Sequence, residues 1–261
     1  MQKLLSIFKN DVWAAFMFFT RLPLWRWHQP EKYAFSRVVN FWPLTGWLTA
    51  AVMAGVLYGG SQILPYSTAI ILAIASRLLL TGALHEDGLA DFFDGMGGGG
   101  SDRNRILTIM KDSHIGTFGV LSLIIYMLLL YTSLHTLAPA TAALAILAFD
   151  PYSKMLSAQI IQMLPYARTE QTAKNRTVYA KPSWQSGISL AVQGLLPISL
   201  FVYHMGRGFN PTYILFLPAL TMYLLYLLIR HHLGGYTGDC CGAMCLLVEL
   251  TAYISLQIIV T

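Results

Sequence analysis

Three carboxylates, Asp87, Asp91 and Asp94, recur at i, i+4 and i+7 in the stretch HEDGLADFFDGMGGGG that runs from His85 to Gly100. On a helix of 3.6 residues per turn all three project from one face. Like charges held that close repel. A hard divalent cation, Mg2+ with Mn2+ as a substitute, relieves the repulsion because it takes carboxylate oxygens together with substrate phosphate. Glu86 adds a fourth carboxylate beside them. Gly95, Gly97, Gly98 and Gly99 follow directly, and glycines let backbone N–H groups approach a ligand closely. Carboxylates for metal beside glycines for phosphate predict a phosphoryl-transfer site, with Asp87, Asp91 and Asp94 both catalytic and metal-binding and Glu86 a further metal ligand. The bland alternative is a solvated acidic face followed by a loose loop. Against it stands concentration: six of the twelve acidic residues fall between His85 and Gly119, in a chain where charge is expensive.

Other chemistry-bearing residues flank this centre. His85 and His114 bracket the acidic stretch and suit a proton acceptor, a phosphate contact or a hydrogen-bonding scaffold. Asp112 joins His85 among the catalytic candidates. Arg103, Arg105 and Lys111 suit nucleotide phosphates, or they are the basic signal of a cytoplasmic connection. A second glycine-rich turn, Gly234 to Asp239, opens the last apolar stretch. Backbone amides at a helix start favour anions, so Thr237, Gly238 and Asp239 are expected near substrate, with Asp239 either a metal ligand or, the more ordinary reading, the helix N-cap. Cys240, Cys241 and Cys245 lack a companion His or Cys cluster and read as small apolar helix residues.

The elements that must position these groups are membrane helices. Hydrophobic residues make up 56% of the 261 and charged residues 11%, against about 25% charged in a soluble domain. The composition predicts an all-α polytopic bundle, a single integral membrane domain over 1–261, and points to a lipid bilayer as partner rather than nucleic acid. Residues 1–40 read as an interfacial segment: Leu5, Phe8, Val12, Phe16 and Phe19 share one stripe of an amphipathic helix that lacks a cleavable signal. Stretches of about 20 apolar residues follow near 41–60, 65–84, 115–137, 139–164, 184–205, 212–230 and 239–260, which makes seven expected spans, with 85–114 as an acidic, glycine-rich active-site loop. Arg77, Asp150, Lys154 and Glu249 fall at membrane depth. Asp150 and Lys154 are spaced to pair on one helix, kinked at Pro151.

HEDGLADFFDGMGGG and the following DRNRILTIMKDSHIGTFGV resemble the signature of cobalamin synthase, the adenosylcobinamide-GDP ribazoletransferase family. Three further pieces agree in order: FFTRLP from Phe18, FWPLTG from Phe41 and GGYTGDCCGA from Gly234. The resemblance implies a multi-pass inner-membrane enzyme of a bacterium or archaeon with its site facing the cytoplasm. It would join adenosylcobinamide-GDP to α-ribazole or its 5'-phosphate with Mg2+ and release GMP, late in assembly of the cobalamin nucleotide loop. Asp87, Asp91 and Asp94 would then hold the metal on the pyrophosphate. The acidic stretch is also similar, more distantly, to the CDP-alcohol phosphotransferases, although their DGxxAR becomes Asp87-Gly88-Leu89-Ala90-Asp91 here. A phospholipid enzyme of that type is the alternative. A cation- or proton-coupled transporter is the rival from another class, motivated by Asp150 and Glu249; such folds carry internal repeats, and none is evident.

Lys and Arg number six before the first span, three between 101 and 114 and four between 166 and 181, whereas the alternate connections hold only Arg207. By the positive-inside rule the N-terminus and the acidic stretch are cytoplasmic and the C-terminus external. A reporter fused after Gly100 is expected to read cytoplasmic and one at Thr261 external; a cytoplasmic C-terminal reporter would remove one span from this topology.

Overall fold

The computed structural model describes residues 2–168 and 179–260. Lys174, Arg176 and Thr261, which entered the orientation argument, lie outside the described residues, as do the side chains of Lys3 and Leu5. The chain is all-helical: α1 (Gln2–Phe19), α2 (Trp42–Ser61), α3 (Tyr66–Thr81), α4 (Leu84–Gly98), α5 (Arg103–Lys111), α6 (Thr117–His135), α7 (Pro139–Ala158), the short α8 (Ile160–Met163), α9 (Trp184–Met205), α10 (Thr212–Leu233) and α11 (Gly238–Val260). A 3-10 segment, Lys32–Phe41, leads into α2. It is a polytopic membrane bundle.

Of the seven expected spans, not all pass on length and composition alone. Five helices among the described residues are long and apolar enough to cross a membrane, or six if α3 and α4 count as one bent span. Helix α3 has only 16 residues. Helix α7 carries Asp150, Pro151 and Lys154 and is buried along most of its length, so it needs no lipid-compatible surface. The outer helices α6, α9 and α10 are 17–28% buried over their apolar windows, while α11 is 67% buried. Leu121, Ile125 and Leu128 of α6 and Phe216 and Leu224 of α10 are exposed, and continuous apolar surface of this kind needs a bilayer around it.

The acidic stretch forms the helix that the aspartate spacing expects, and the 85–114 segment, expected as a loop, is largely the two helices α4 and α5. Helices α3 and α4 meet at an 89° bend made by two left-handed residues, Gly82 at φ +65° and Ala83 at φ +55°. Both donate their N–H to the Leu78 carbonyl, which closes α3 as a left-handed C-terminal cap does. Helix α4 then turns away across the bundle. The Arg21 side chain lies over Gly82, where a Cβ would come within 2.1 Å of its Nε.

Helix α1 forms as expected, but its buried face is shifted. Phe8 is 56% exposed, whereas Asp11, Ala14, Ala15 and Phe19 are buried. Asp11 goes inside because Arg37 donates to it at 2.6 Å, which ties α1 to the 3-10 segment.

The connections fall into two sets. Tyr66 at the start of α3 donates its hydroxyl to the Leu134 and Leu137 carbonyls at the end of α6, and Gln257 near the end of α11 donates to Thr136. At the opposite end, the N–H of Ala167 reaches the Tyr236 carbonyl at 2.8 Å and that of Ala180 reaches Ser36 at 2.8 Å. The second set contains the basic connections, so charge pattern and connectivity agree.

All four charges at membrane depth are paired. Arg77 of α3 donates to Glu249 of α11 at 2.6 Å and to the Tyr126 hydroxyl of α6 at 2.9 Å. Lys154 pairs with Asp150, and Thr49 of α2 donates to the other Asp150 oxygen at 2.7 Å. Gly46 makes room for this: a Cβ there would lie 2.9 Å from Asp150 Oδ1 and 3.0 Å from Pro151 Cα. Stranding one member of such a buried pair costs about 3–5 kcal/mol. Asp150→Asn or Lys154→Gln alone is therefore expected to lower membrane levels and thermal stability more than the double substitution; activity lost in a well-expressed double variant would place one of the two in the site.

Candidate functional site

Exposure falls along the acidic face of α4, from Asp87, exposed, through Asp91, half-buried, to Asp94, buried. The difference has a cause at each end. Asp94 meets the start of α6: its two oxygens accept the N–H groups of Gly116 at 2.7 Å and Gly119 at 2.8 Å. Those are unsatisfied donors of a helix N-terminus, which favours a negative group. Only glycine fits there, since a Cβ would come within 2.5 Å of Asp94 at Gly116 and 2.4 Å at Gly119. The third carboxylate of the expected face is thus engaged in joining α4 to α6.

Asp87 stands at the other end, where α4 meets α11. A Cβ on Gly88 would lie 3.2 Å from Asp239 Cα, and one on Gly242 would lie 3.1 Å from the His85 carbonyl. Small residues on both helices let the backbones touch, and Asp87 and Asp239 border one cavity. Asp239 is not the cap of α11. The Thr237 hydroxyl accepts the Cys240 N–H at 3.3 Å and donates to Asp239 at 3.2 Å. Glu86 is buried, and its Oε2 has no hydrogen-bond partner among the described residues. Its charged neighbours are Arg77, Glu249 and Lys154, so it faces the interior.

His85 is buried between rings. The Trp42 indole N–H donates to its Nε2 at 3.2 Å; an indole nitrogen can only donate, so Nε2 is an acceptor and the proton of the neutral ring sits on Nδ1. The cysteines are free and buried, as expected.

The glycine run packs helices. Gly97 and Gly98 continue α4. A Cβ on Gly95 would lie 2.6 Å from Met110 Cγ and one on Gly99 2.3 Å from Ile106 Cγ1, both of α5, while one on Gly97 would lie 2.5 Å from the Phe118 ring. Arg103 is a strut between segments: its Nε donates to the Leu233 carbonyl at 2.7 Å and its Nη2 to Ala167 at 2.6 Å. Arg103, Asn104, Lys111, Asp112 and Arg168 line a wide hollow of about 730 Å³ on this side. Asp112 is exposed there, and its hydrogen bonds from the His114 ring and backbone hold its carboxyl below the usual range.

Among the described residues no three His, Cys, Asp or Glu side chains form a ready metal cage. Mg2+ seldom needs one, because it commonly takes one or two carboxylates and completes its shell with water and substrate phosphate. Asp87 fits that mode, either with Asp91 one helical turn away or with Asp239, which borders the same cavity. Sequence reasoning did not assign Phe18, Phe19, Trp42 or Tyr179 to the site, although they line the same cavity. The stretches FFTRLP, FWPLTG and GGYTGDCCGA held the signal, since each contributes to its walls.

Residues 11–257 match the family model CobS, described as cobalamin-5-phosphate synthase. An adenosylcobinamide-GDP ribazoletransferase of Shewanella baltica strain OS155 is 32% identical over 94% of this chain and 92% of its own length. Those of Shewanella frigidimarina and Leptospira interrogans are 33% identical, over 94% and 93%, and 32% identical, over 95% of each. No solved structure matches.

Removing Asp94 leaves two backbone donors without their acceptor, at about 1–3 kcal/mol for each such buried group. Asp94→Ala and Gly119→Ala are expected to lower the thermal midpoint in detergent by several degrees, while Asp87→Asn leaves it in place. Equal midpoints for all three would remove Asp94 from its anchoring role.

Proposed function

Because the chain belongs to the cobalamin-5-phosphate synthase family, we propose that it joins adenosylcobinamide-GDP to α-ribazole, or to its 5'-phosphate, with release of GMP, through the carboxylates of α4. The observation that supports the residue assignment is the division of the acidic face: Asp94 is turned to α6, while Asp87, one helical turn from Asp91, borders the cavity together with Asp239. The site stands at the end of the bundle that holds the basic connections, which we assign to the cytoplasmic face of an inner membrane.

Phosphoryl transfer onto an alcohol asks little covalent chemistry of a protein and much positioning and charge neutralisation. Asp87 would hold Mg2+ with one further carboxylate, Asp91 on the same helix or Asp239 across the cavity, and water and phosphate would complete the shell; bound there, Mg2+ supplies charge neutralisation for the pyrophosphate oxygens and the departing GMP. The protein's own contributions are distinct. The start of α11, at Gly238, presents backbone N–H groups and the positive end of a helix dipole to an anion. Thr237 caps that start and orients Asp239. Lys111 and Arg105, exposed on α5, meet incoming phosphate charge, whereas Arg103 holds α5 against α10. His85, with Nε2 taken by Trp42, orients rather than accepts a proton at that atom. The transporter reading loses its motivation, since Asp150 and Glu249 are each paired.

GMP release from adenosylcobinamide-GDP is expected to require both α-ribazole and Mg2+. Asp87→Asn and Asp91→Asn should each slow turnover by on the order of 10³-fold, with partial recovery at high Mg2+ or with Mn2+. Asp102→Asn is the control: Asp102 caps α5 by accepting the Asn104 and Arg105 N–H groups, a role Asn also fills. Near-normal turnover of both α4 variants at limiting Mg2+ would withdraw the assignment.

A further inference from the structure

We infer that the cavity walled by α1, α2, α4 and α11 receives the planar, largely apolar base of the acceptor nucleoside. The inference rests on the transfer reading above and adds where the acceptor sits. The cavity measures about 130 Å³, close to the ~150 Å³ that admits a benzene ring in an apolar protein interior. It can take one ring system, and neither a whole nucleotide nor a cobinamide.

The walls suit such a ring. Phe19, Trp42 and His85 lie parallel within 12°, with centroids 5.3–6.2 Å apart. Phe18 and Tyr179 meet edge to face at 6.0 Å, and Val39 and Leu84 complete the apolar side. The lining from α4 and α11 is Gly88, Gly238, Cys241 and Gly242, and at Gly238 the space beside the backbone is open, since a Cβ there would meet nothing within 4 Å. Aromatic rings favour offset or edge-on contact with other rings, so both orientations are available to a bound base.

Chemistry distinguishes this base from guanine. No Asn, Gln, Arg or Lys lines the cavity; only the carboxylates of Asp87 and Asp239 could accept from the N1–H and exocyclic amine of guanine, and those are the groups assigned to Mg2+, so a guanine bound here would compete with the metal for them. An apolar heteroaromatic base carries no such edge, and His85, with its proton on Nδ1, has one donor to offer a ring nitrogen. The polar end of the cavity is Asp87 and Asp239. A nucleoside with its base among the aromatic side chains therefore carries its ribose toward the carboxylates assigned to Mg2+.

The test uses the full-length protein in detergent and two substitutions of half-buried wall residues, Leu84→Trp to fill the cavity and Phe18→Ala to open it. Hydrophobic pockets discriminate by about 10–200-fold, so Leu84→Trp is expected to raise the KM for α-ribazole at least about tenfold and to abolish the calorimetric signal of α-ribazole binding. Phe18→Ala should raise it less. The KM for adenosylcobinamide-GDP should stay within about threefold in both. A rise confined to the donor, a parallel rise for both substrates, or no change in either variant overturns the assignment. Failure of the transfer reading looks different: the wild-type chain would release no GMP, while α-ribazole binding, lost in Leu84→Trp, would still report on the cavity.

Discussion

Two hydrogen bonds, from the N–H groups of Gly116 and Gly119 to the carboxylate of Asp94, set the orientation on which the acidic helix depends. A helix start carries unsatisfied donors and a partial positive charge, and in an apolar bundle a buried carboxylate is a strong partner for it. With its C-terminal half held to α6 and its N-terminal half lying against α11 through Gly88 and Gly242, α4 has little rotational freedom left. Glu86 is then directed inward toward Arg77 and Lys154, and Asp87 outward to the cavity. One face of one helix is divided between holding the fold and bordering a cavity.

The same economy governs the interior. Arg77 with Glu249 and Lys154 with Asp150 place charge at depth only where a partner is within reach, and hydroxyls from Tyr126, Tyr253 and Thr49 occupy further lone pairs and protons. These contacts join α3, α6 and α11 in one group and α2 and α7 in another. The bundle core is therefore fixed by polar contacts, as expected where lipid and side chains are equally apolar. The outer helices α6, α9 and α10 supply the lipid-facing surface.

Much of this was legible in the sequence. The apolar stretches marked where helices lie, the spacing of Asp150 and Lys154 marked their pairing, and the basic residues grouped the connections that meet at one end. What eluded a linear reading had tertiary causes. The Gly82-Ala83 break sits in a stretch whose composition suits a continuous helix, and left-handed Ala83 has no signature. A glycine run suits a phosphate loop as well as it suits close helix packing; only the facing Met110, Ile106 and Phe118 decide for packing. Asp94 belongs by spacing with Asp87 and Asp91, and its separation from them becomes visible only once Gly116 and Gly119 stand opposite. The cavity is assembled from segments near residues 18, 42, 85, 179 and 239, far apart in the chain, although the motifs behind the family resemblance already named most of them.

The central claim, that Asp87 and Asp91 hold a divalent ion with substrate phosphate while Asp94 holds the helix, is tested most directly by electron paramagnetic resonance of Mn2+ titrated into purified protein with adenosylcobinamide-GDP present. The account predicts that Asp87→Asn and Asp91→Asn each weaken Mn2+ binding, and that Asp94→Asn, where the protein remains folded, binds Mn2+ as the wild type does. Unchanged binding in the first two variants, or its loss in Asp94→Asn alone, would contradict it.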